Sequence, residues 1–409
     1  MLARFEKHGA ASSGDWGCVP IGGYHEKDEV MVAKQFTKTV KEIDAKFILN
    51  MGDNFYYCGV HSKTDAMWNS TFENIFTDPA TYVTWWGALG NHDYGYPGSA
   101  TAQMEYESPY NNRWQIPDRY YYKRLTFPGQ VNISLVTLDA SPCQADYISS
   151  NPAGWDPCGS VIPSCPGCTF HQNVIKQNCS KQLEWLNALM PTIPQDDWKI
   201  LMVHAPASDL DVEDFVAPFQ QYNFELFING HVHLMAHYQM DNQGTYITTG
   251  AACMVRIDQE EAKKMDHIPA HQQVLAKAGG NSCGGRNPWH SCSIVYQRTI
   301  AGYSSHTFND DFTQLTTYLW DYQGNLLHST TTTKGGSPAP NPPGPNPNPP
   351  GPNTPSPPSG ACCHYAASSC TKGETCCSDE DKSYKEYECV HGVGKKHHCI
   401  WTGSTCIVG

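Results

Sequence analysis

The chain has 409 residues, 40% apolar and 11% aromatic, with 40 acidic against 27 basic side chains and a formal net charge of -13. That apolar content can fill a large core, which excludes a disordered protein, and the length allows one large domain with an appendage. The acidic balance excludes a nucleic-acid scaffold or a basic membrane-surface protein, and no run of about 18 apolar residues is present to span a bilayer.

The opening stretch MLARFEKHGAASSGDWG has no apolar h-region, so an export signal is expected to lie outside this sequence. It also lacks the apolar run that usually leads into a first buried strand. Next, Val30, Ala33, Phe36, Val40 and Ile43 recur at helical spacing, and the short run KFILNM follows as a strand. Further buried-strand runs are VNISLVTL (131–138), WKILMV (198–203) and FELFIN (224–229), with KQLEWLNALM (181–190) as a helix between two of them. This alternation predicts an α/β layered domain.

Eighteen cysteines and the acceptor patterns at Asn69, Asn132 and Asn178 point to an oxidising compartment, either secreted/extracellular or lysosome- or vacuole-like. Five cysteines lie within the Pro- and Gly-rich stretch 143–179, which reads as a disulfide-stapled surface insertion; a redox dithiol at CPGC (165–168) is the alternative. Residues 335–360, nearly all Pro, Gly, Asn and Ser, form a semi-extended linker between a first module, 1–334, and a tail, 361–409. The tail holds eight cysteines in 49 residues, read as four disulfides, with a metal site using His391, His397 or His398 as the alternative. Its aromatic residues Tyr365, Tyr384, Tyr387 and Trp401, on a long tether, resemble the layout of enzymes carrying carbohydrate-binding modules. Polysaccharide is therefore an expected partner, against a disulfide knot with no ligand.

Metal-ligating residues follow one strand run after another. They are Asp15 in SGDWG, Asp53 and Tyr56 after FILNM, Asn91 beside His92 and Asp93 in GNHD, His204 in LMVHAP, and His231 and His233 in FINGHVH. Each alone is a turn or a core histidine. Strand ends in layered α/β folds are where distant residues converge, however, and seven ligands suit two ions sharing a bridging carboxylate. Trp16, Trp85, Trp86 and Trp155 are core residues or, as the alternative, line a substrate cleft.

The ordered set GDWG, GDNFY, GNHD, VHAP and GHVH resembles the calcineurin-like metallophosphoesterases. Tyr56, three residues after Asp53, resembles more narrowly the purple acid phosphatases of the tartrate-resistant type. The likeness covers about residues 12–334, including GYSSHTF and TTYLWDYQGNLLHST as closing strands, and none of the linker or tail. It implies a four-layer αββα sandwich followed by a small disulfide-rich C-terminal domain. It also implies Fe(III) on Asp15, Tyr56 and His233, a divalent Fe, Zn or Mn on Asn91, His204 and His231, and Asp53 bridging. The implied activity is hydrolysis of small phosphate esters, chiefly monoesters in acid, by hydroxide made at the ions. His92 would assist the leaving alkoxide and Asp93 would orient His92. Val232 and Leu234 stand where this likeness would place Asp and Asn. A phosphodiesterase or nucleotide hydrolase on the same centre, or a surface- or glycan-binding protein on a non-catalytic scaffold, are the alternatives.

Overall fold

In the computed structural model the described residues are 9–21, 23–127, 131–149, 156–158, 165–255, 283 and 285–335, with the backbone of 375–378, 385–391 and 397–405. In chain order the strands of the first unit begin with β1 (Gly9–Ser13), β2 (Ala45–Asn50), β3 (Thr84–Gly87), β4 (Trp114–Gln115), β5 (Tyr121–Phe127), β6 (Val131–Thr137) and β7 (Trp198–Met202). They continue with β8 (Leu226–Asn229), β9 (Met235–Met240), β10 (Gln243–Thr249), β11 (Cys292–Arg298), β12 (Gly302–Phe308), β13 (Gln314–Asp321) and β14 (Leu326–Thr333). The helices are α1 (Gly23–Glu42), α2 (Ser99–Met104), α3 (Ala145–Ile148), α4 (Phe170–Val174), α5 (Cys179–Leu189) and α6 (Val216–Gln221).

Two mixed seven-stranded sheets result, in the orders β14-β13-β12-β1-β2-β3-β4 and β11-β9-β10-β8-β7-β6-β5. Side-chain alternation shows how they stack. Ile133 and Leu135, Ile200 and Met202, and Leu226 and Ile228 join the core that includes Phe36 and Val40 of α1 and the first sheet. Their neighbours Val136, Leu201 and Phe227 face a second core with Leu186 of α5 and Phe219 of α6. A strand with a period of two and both faces buried needs a layer on each side, and helix, sheet, sheet, helix supplies them. This is a four-layer α/β sandwich, the architecture that the resemblance implied. Trp16, Trp85 and Trp86 belong to its core, with Trp16 packed among Phe55, Phe72, Phe76, Trp85 and Trp114. Trp155 lies outside the described residues.

Two details correct the sequence reading. The helical stripe keeps its phase at Ala33, Phe36, Val40 and Ile43, all buried, but Val32 is buried in place of Val30, which is 44% exposed. And GAASS, with no large apolar residue, is a fully buried central strand. It earns burial through polar pairing: Ser12 hydrogen-bonds Ser304 and, at 2.8 Å, His306 Nε2, while Thr317 meets His306 Nδ1 at 2.9 Å.

The ten cysteines of the first unit form five disulfides, Cys18–Cys253, Cys58–Cys165, Cys143–Cys179, Cys158–Cys168 and Cys283–Cys292. CPGC is therefore not a redox dithiol, because its two sulfurs bond different partners. The stapled insertion docks onto the loop after β3, where Thr169 N–H donates to Gly95 C=O at 2.8 Å. No described helix is long and apolar enough to cross a membrane.

The chain divides into two compact units, Met1–Pro342 and Pro343–Gly409. In the second, β15 (Thr375–Ser378), β16 (Lys385–His391) and β17 (His397–Thr405) form an antiparallel sheet in which Tyr387 is the register partner of Trp401. Tyr365 and Tyr384 lie outside the described residues, as does most of the linker.

Asp28 in α1 is fully buried, and neither carboxyl oxygen accepts a hydrogen bond among the described residues. Burial pushes its pKa up to about 7. The unfolded carboxyl titrates near about 3.9, so between about pH 4 and 7 the folded state holds a proton that the unfolded chain has lost. This contribution to stability is full in acid and disappears as pH rises through the folded value. Asp28→Asn should raise the melting temperature by a few degrees at neutral pH and little in acid, as thermal unfolding at both pH values would show.

Candidate metal centre

Strands β1, β2 and β3 run parallel in the first sheet, as do β7, β8 and β10 in the second. All six therefore release their following loops at the same edge. The two edges are joined directly: Gly14 N–H donates to Thr249 C=O at 3.0 Å, and Ala252 N–H to Gly14 C=O at 3.3 Å. The loops after five of these strands carry the seven expected ligands, and the structure brings all seven together.

Asp53 is their centre. Its Oδ2 lies 3.1 Å from the Tyr56 hydroxyl and 3.3 Å from His204 Nε2, while Oδ1 accepts the His92 N–H at 2.9 Å. On one side, the Tyr56 hydroxyl lies 3.1 Å from Asp15 Oδ1 and 3.2 Å from His233 Nε2. On the other, His204 Nε2 lies 3.0 Å from Asn91 Oδ1, and the His204 and His231 rings are 5.1 Å apart. Asp53, His204 and His231 form one cluster of donor atoms, and Asp15, Asp53 and His233 another.

Three histidine rings are aimed in the same way. A backbone carbonyl can only accept, so the ring nitrogen facing it must carry the proton. His204 Nδ1–H donates to Met51 C=O at 2.7 Å, His233 Nδ1–H to Cys253 C=O at 3.0 Å, and His92 Nδ1–H to Tyr57 C=O at 2.6 Å. Each Nε2 is thereby turned into the site. This places His92 Nε2 4.0 Å from Asp53 Oδ2.

The orienting role expected of Asp93 thus passes to the Tyr57 carbonyl. The Asp93 carboxylate instead accepts from Asn54 N–H at 3.0 Å, Gly90 N–H at 2.8 Å and Gln103 Nε2–H at 2.9 Å. It ties the loop of Asp53 to that of Asn91 from behind. Burial, then Asp53, raises its pKa to about 7.

The backbone is shaped for these contacts. Asp15, Asp53, His231 and His233 all have left-handed φ, at 56°, 52°, 75° and 42°. Such residues cost about 1 kcal/mol or more each and persist where surrounding contacts over-determine them. Two glycines make room for carboxylates: a Cβ on Gly90 would lie 2.1 Å from Asp53 Oδ1, and one on Gly230 2.4 Å from Asp15 Oδ2.

Electrostatics match a cation site. Burial works against charge on Asp53, but His204, His92 and His231 hold its carboxyl well below the usual range. Asp15 is pushed up, chiefly by burial and partly by Asp53. Burial lowers and Asp53 raises His204, for a net value of about 9. Burial and the two carboxylates together keep the Tyr56 phenol protonated, a field that a bound cation would reverse. Metal–ligand bonds of about 2.0–2.3 Å put neighbouring ligands about 3 Å apart. The donor separations here, 3.0 to 3.5 Å, fit that spacing in both halves. The donor chemistry fits as well, with oxygen-rich ligands on one side and imidazoles on the other. Val232 and Leu234, where Asp and Asn were expected, are buried in a small apolar patch with Ala236.

Sequence reasoning missed the residues that hold the ligands. The carbonyls of Met51, Tyr57 and Cys253 have no side-chain signature, and Gln103 belongs to no motif. The pairing of Cys18 with Cys253 was one of many possibilities.

Residues 13–235 match the family described as calcineurin-like phosphoesterase. Tartrate-resistant acid phosphatase type 5 of Rattus norvegicus is 29% identical over 252 residues, 58% of this chain and 70% of that protein. The Oryctolagus cuniculus protein of the same name is 30% identical with the same coverage. Purple acid phosphatase 3 of Arabidopsis thaliana is 29% identical over 247 residues, 58% and 61% of the two chains. Among solved structures, GAP50, the anchor in the inner membrane complex of Plasmodium, shares the fold with a TM-score of 0.53 at 17% identity, over 80% of this chain and 89% of that one.

Gly90→Ala should displace Asp53 while leaving both cores intact. Metal affinity should fall by about tenfold or more, which elemental analysis after dialysis against a chelator would measure; full retention would mean that the loop yields without moving Asp53.

Proposed function

The chain belongs to the calcineurin-like phosphoesterase family, and from that premise we propose that it is a secreted acid phosphatase acting on phosphomonoesters with a pair of metal ions. The observation that carries this reading is the division of seven donors, six buried and His233 nearly so, into two sets that share Asp53. Asp15, Tyr56 and His233 would hold Fe(III), Asn91, His204 and His231 a divalent Fe, Zn or Mn, and Asp53 both. When bound, such a pair neutralises phosphoryl oxygens and lowers the pKa of a water.

The chain's own groups divide the remaining work. His92 Nδ1–H is committed to Tyr57 C=O, so any proton that His92 gives to a departing alkoxide leaves from Nε2, the nitrogen facing the site. Burial lowers the His92 pKa and Asp53 partly offsets this, so the ring gains its second proton only in acid. Asp93 keeps the loops of Asp53 and Asn91 at a fixed spacing. Leu201 of β7 and Phe227 of β8 anchor, in the second core, the strands that deliver His204, His231 and His233, as transition-state positioning requires.

Secretion is supported by the five disulfides of the first unit, and domain limits of 1–334, 335–360 and 361–409 by the composition of the linker. A pure binding scaffold is disfavoured because no ligand position has been lost.

Hydrolysis of a chromogenic aryl phosphate should peak in acid and vanish in Asp53→Asn; activity retained in that variant overturns the reading. His92→Ala should lower kcat by about 100-fold or more on an alkyl phosphate and less on an aryl phosphate, whose leaving group needs less help. Both ions should remain bound, as elemental analysis would show.

A further inference from the structure

The disulfide Cys18–Cys253 links residues 235 positions apart, one in the loop after β1 and the other in the loop after β10. It therefore ties the first sheet to the second at the edge where the ligands gather. Both sulfur-bearing residues are buried in a small cluster with Tyr56, against which Ile21, Tyr57 and Met254 also pack. The backbone of the same two loops also meets the ligands. Cys253 C=O accepts from His233 Nδ1–H at 3.0 Å, and Cys253 N–H donates to Asp15 C=O at 2.9 Å. One residue thus orients the His233 ring and anchors the Asp15 main chain.

The Cys18 end is held with equal care. Cys18 N–H and Val19 N–H both donate to Glu29 Oε2 at 2.6 Å, which fixes this loop to α1, and Gly17 C=O accepts from Tyr56 N–H at 2.9 Å. Three residues of this corner, Asp15, His233 and Met254, have left-handed backbone at 56°, 42° and 55°. Left-handed conformations of non-glycine residues relax unless their neighbours hold them. Here the neighbours belong to two different sheets, and the covalent link that joins them is Cys18–Cys253.

Apart from His231 N–H, which donates to Asp15 Oδ2 at 2.8 Å, the other half of the centre is aimed by different contacts. His204 is aimed by Met51 C=O, and Asn91 follows the loop that Asp93 pins to Asn54 and Gly90. Resting on the metal-pair reading above, we infer that Cys18–Cys253 is a positioning element chiefly for the Asp15, Tyr56 and His233 half of the centre. Its effect acts through Asp15, Tyr56 and His233 and not through any contact with substrate. A general staple would affect both halves equally through stability; this bond discriminates between them.

The test compares full-length wild type with Cys18→Ser/Cys253→Ser, and with Cys283→Ser/Cys292→Ser as the control, since that pair closes a loop with a separation of 9 and, among the described residues, packs in the second core, which holds none of the seven ligands. Each protein is loaded with iron and zinc. The readouts are iron and zinc content, the visible absorption of tyrosinate on Fe(III), and the rate of iron loss to a chelator. The inference expects iron loss at least about tenfold faster in Cys18→Ser/Cys253→Ser, in line with the usual effect of removing a group that orients ligands. It also expects a weakened or shifted visible band, zinc retained, and no change in the control. Unchanged iron retention and an unchanged band would overturn it, as would equal loss of both metals. If the serine pair does not fold, Cys18→Ala/Cys253→Val restores apolar volume without the bond, and failure of that pair as well would show a general staple and overturn the inference. A wild type that takes up neither ion would overturn the metal-pair reading itself, a result separate from the comparison of variants.

Discussion

Two carboxylates, Asp15 and Asp53, are buried with no exposed surface and meet the same phenol hydroxyl at 3.1 Å each. Removing one carboxylate from water is costly, and placing two together adds repulsion that a low dielectric does not screen. Much of the surrounding structure answers that cost. Backbone N–H groups of His231 and His92 donate to them at 2.8 and 2.9 Å, and His204 lies 3.3 Å from Asp53. A site that concentrates negative charge against imidazoles and a phenol is stable as a cation site, which is the chemistry that phosphate ester hydrolysis needs.

The sandwich makes this concentration possible because its geometry is rigid away from the rim. Both faces of β6, β7 and β8 are packed, so the strands cannot slide without moving every side chain to the wrong face. Loops leaving their ends are therefore delivered to fixed points. The remaining freedom lies in the loops themselves, and there hydrogen bonds to carbonyls, the Asp93 network and the cross-sheet disulfide remove it.

Burial has a second consequence. The carboxyl groups of Asp28, Asp93 and Asp209 are pushed up to about 7 and that of Asp139 to about 6, in each case chiefly by burial. Asp53, held low by its histidines, works in the opposite direction. A fold with several such groups holds protons between about pH 4 and 7 that its unfolded chain has released, so these groups favour the folded state in acid, and the disulfides are consistent with an extracellular or lumenal compartment.

The residue types and their order were legible from the start: Asp15, Asp53, Tyr56, Asn91, His92, His204, His231 and His233 each follow a strand or its absence at a readable place. Strand periodicity was legible where Val, Ile, Leu and Phe alternate, as in β6 to β8. It was silent for β1, because small and hydroxyl residues signal nothing until Ser304 and His306 stand opposite them. The stripe of α1 was legible at Ala33, Phe36 and Val40 and wrong at Val30, since a stripe read from apolar residues alone ignores the buried Asp28, Glu29 and Thr39. The order of residues alone thus carried the candidate donor set, the layered class and the disulfide-permissive setting. Only the tertiary structure decided which carbonyl aims each imidazole, that Tyr57 rather than Asp93 holds His92, and that Cys18 meets Cys253. Those are contacts of backbone groups, or between equivalent cysteines far apart in the chain, and neither kind leaves a mark on the order of side chains.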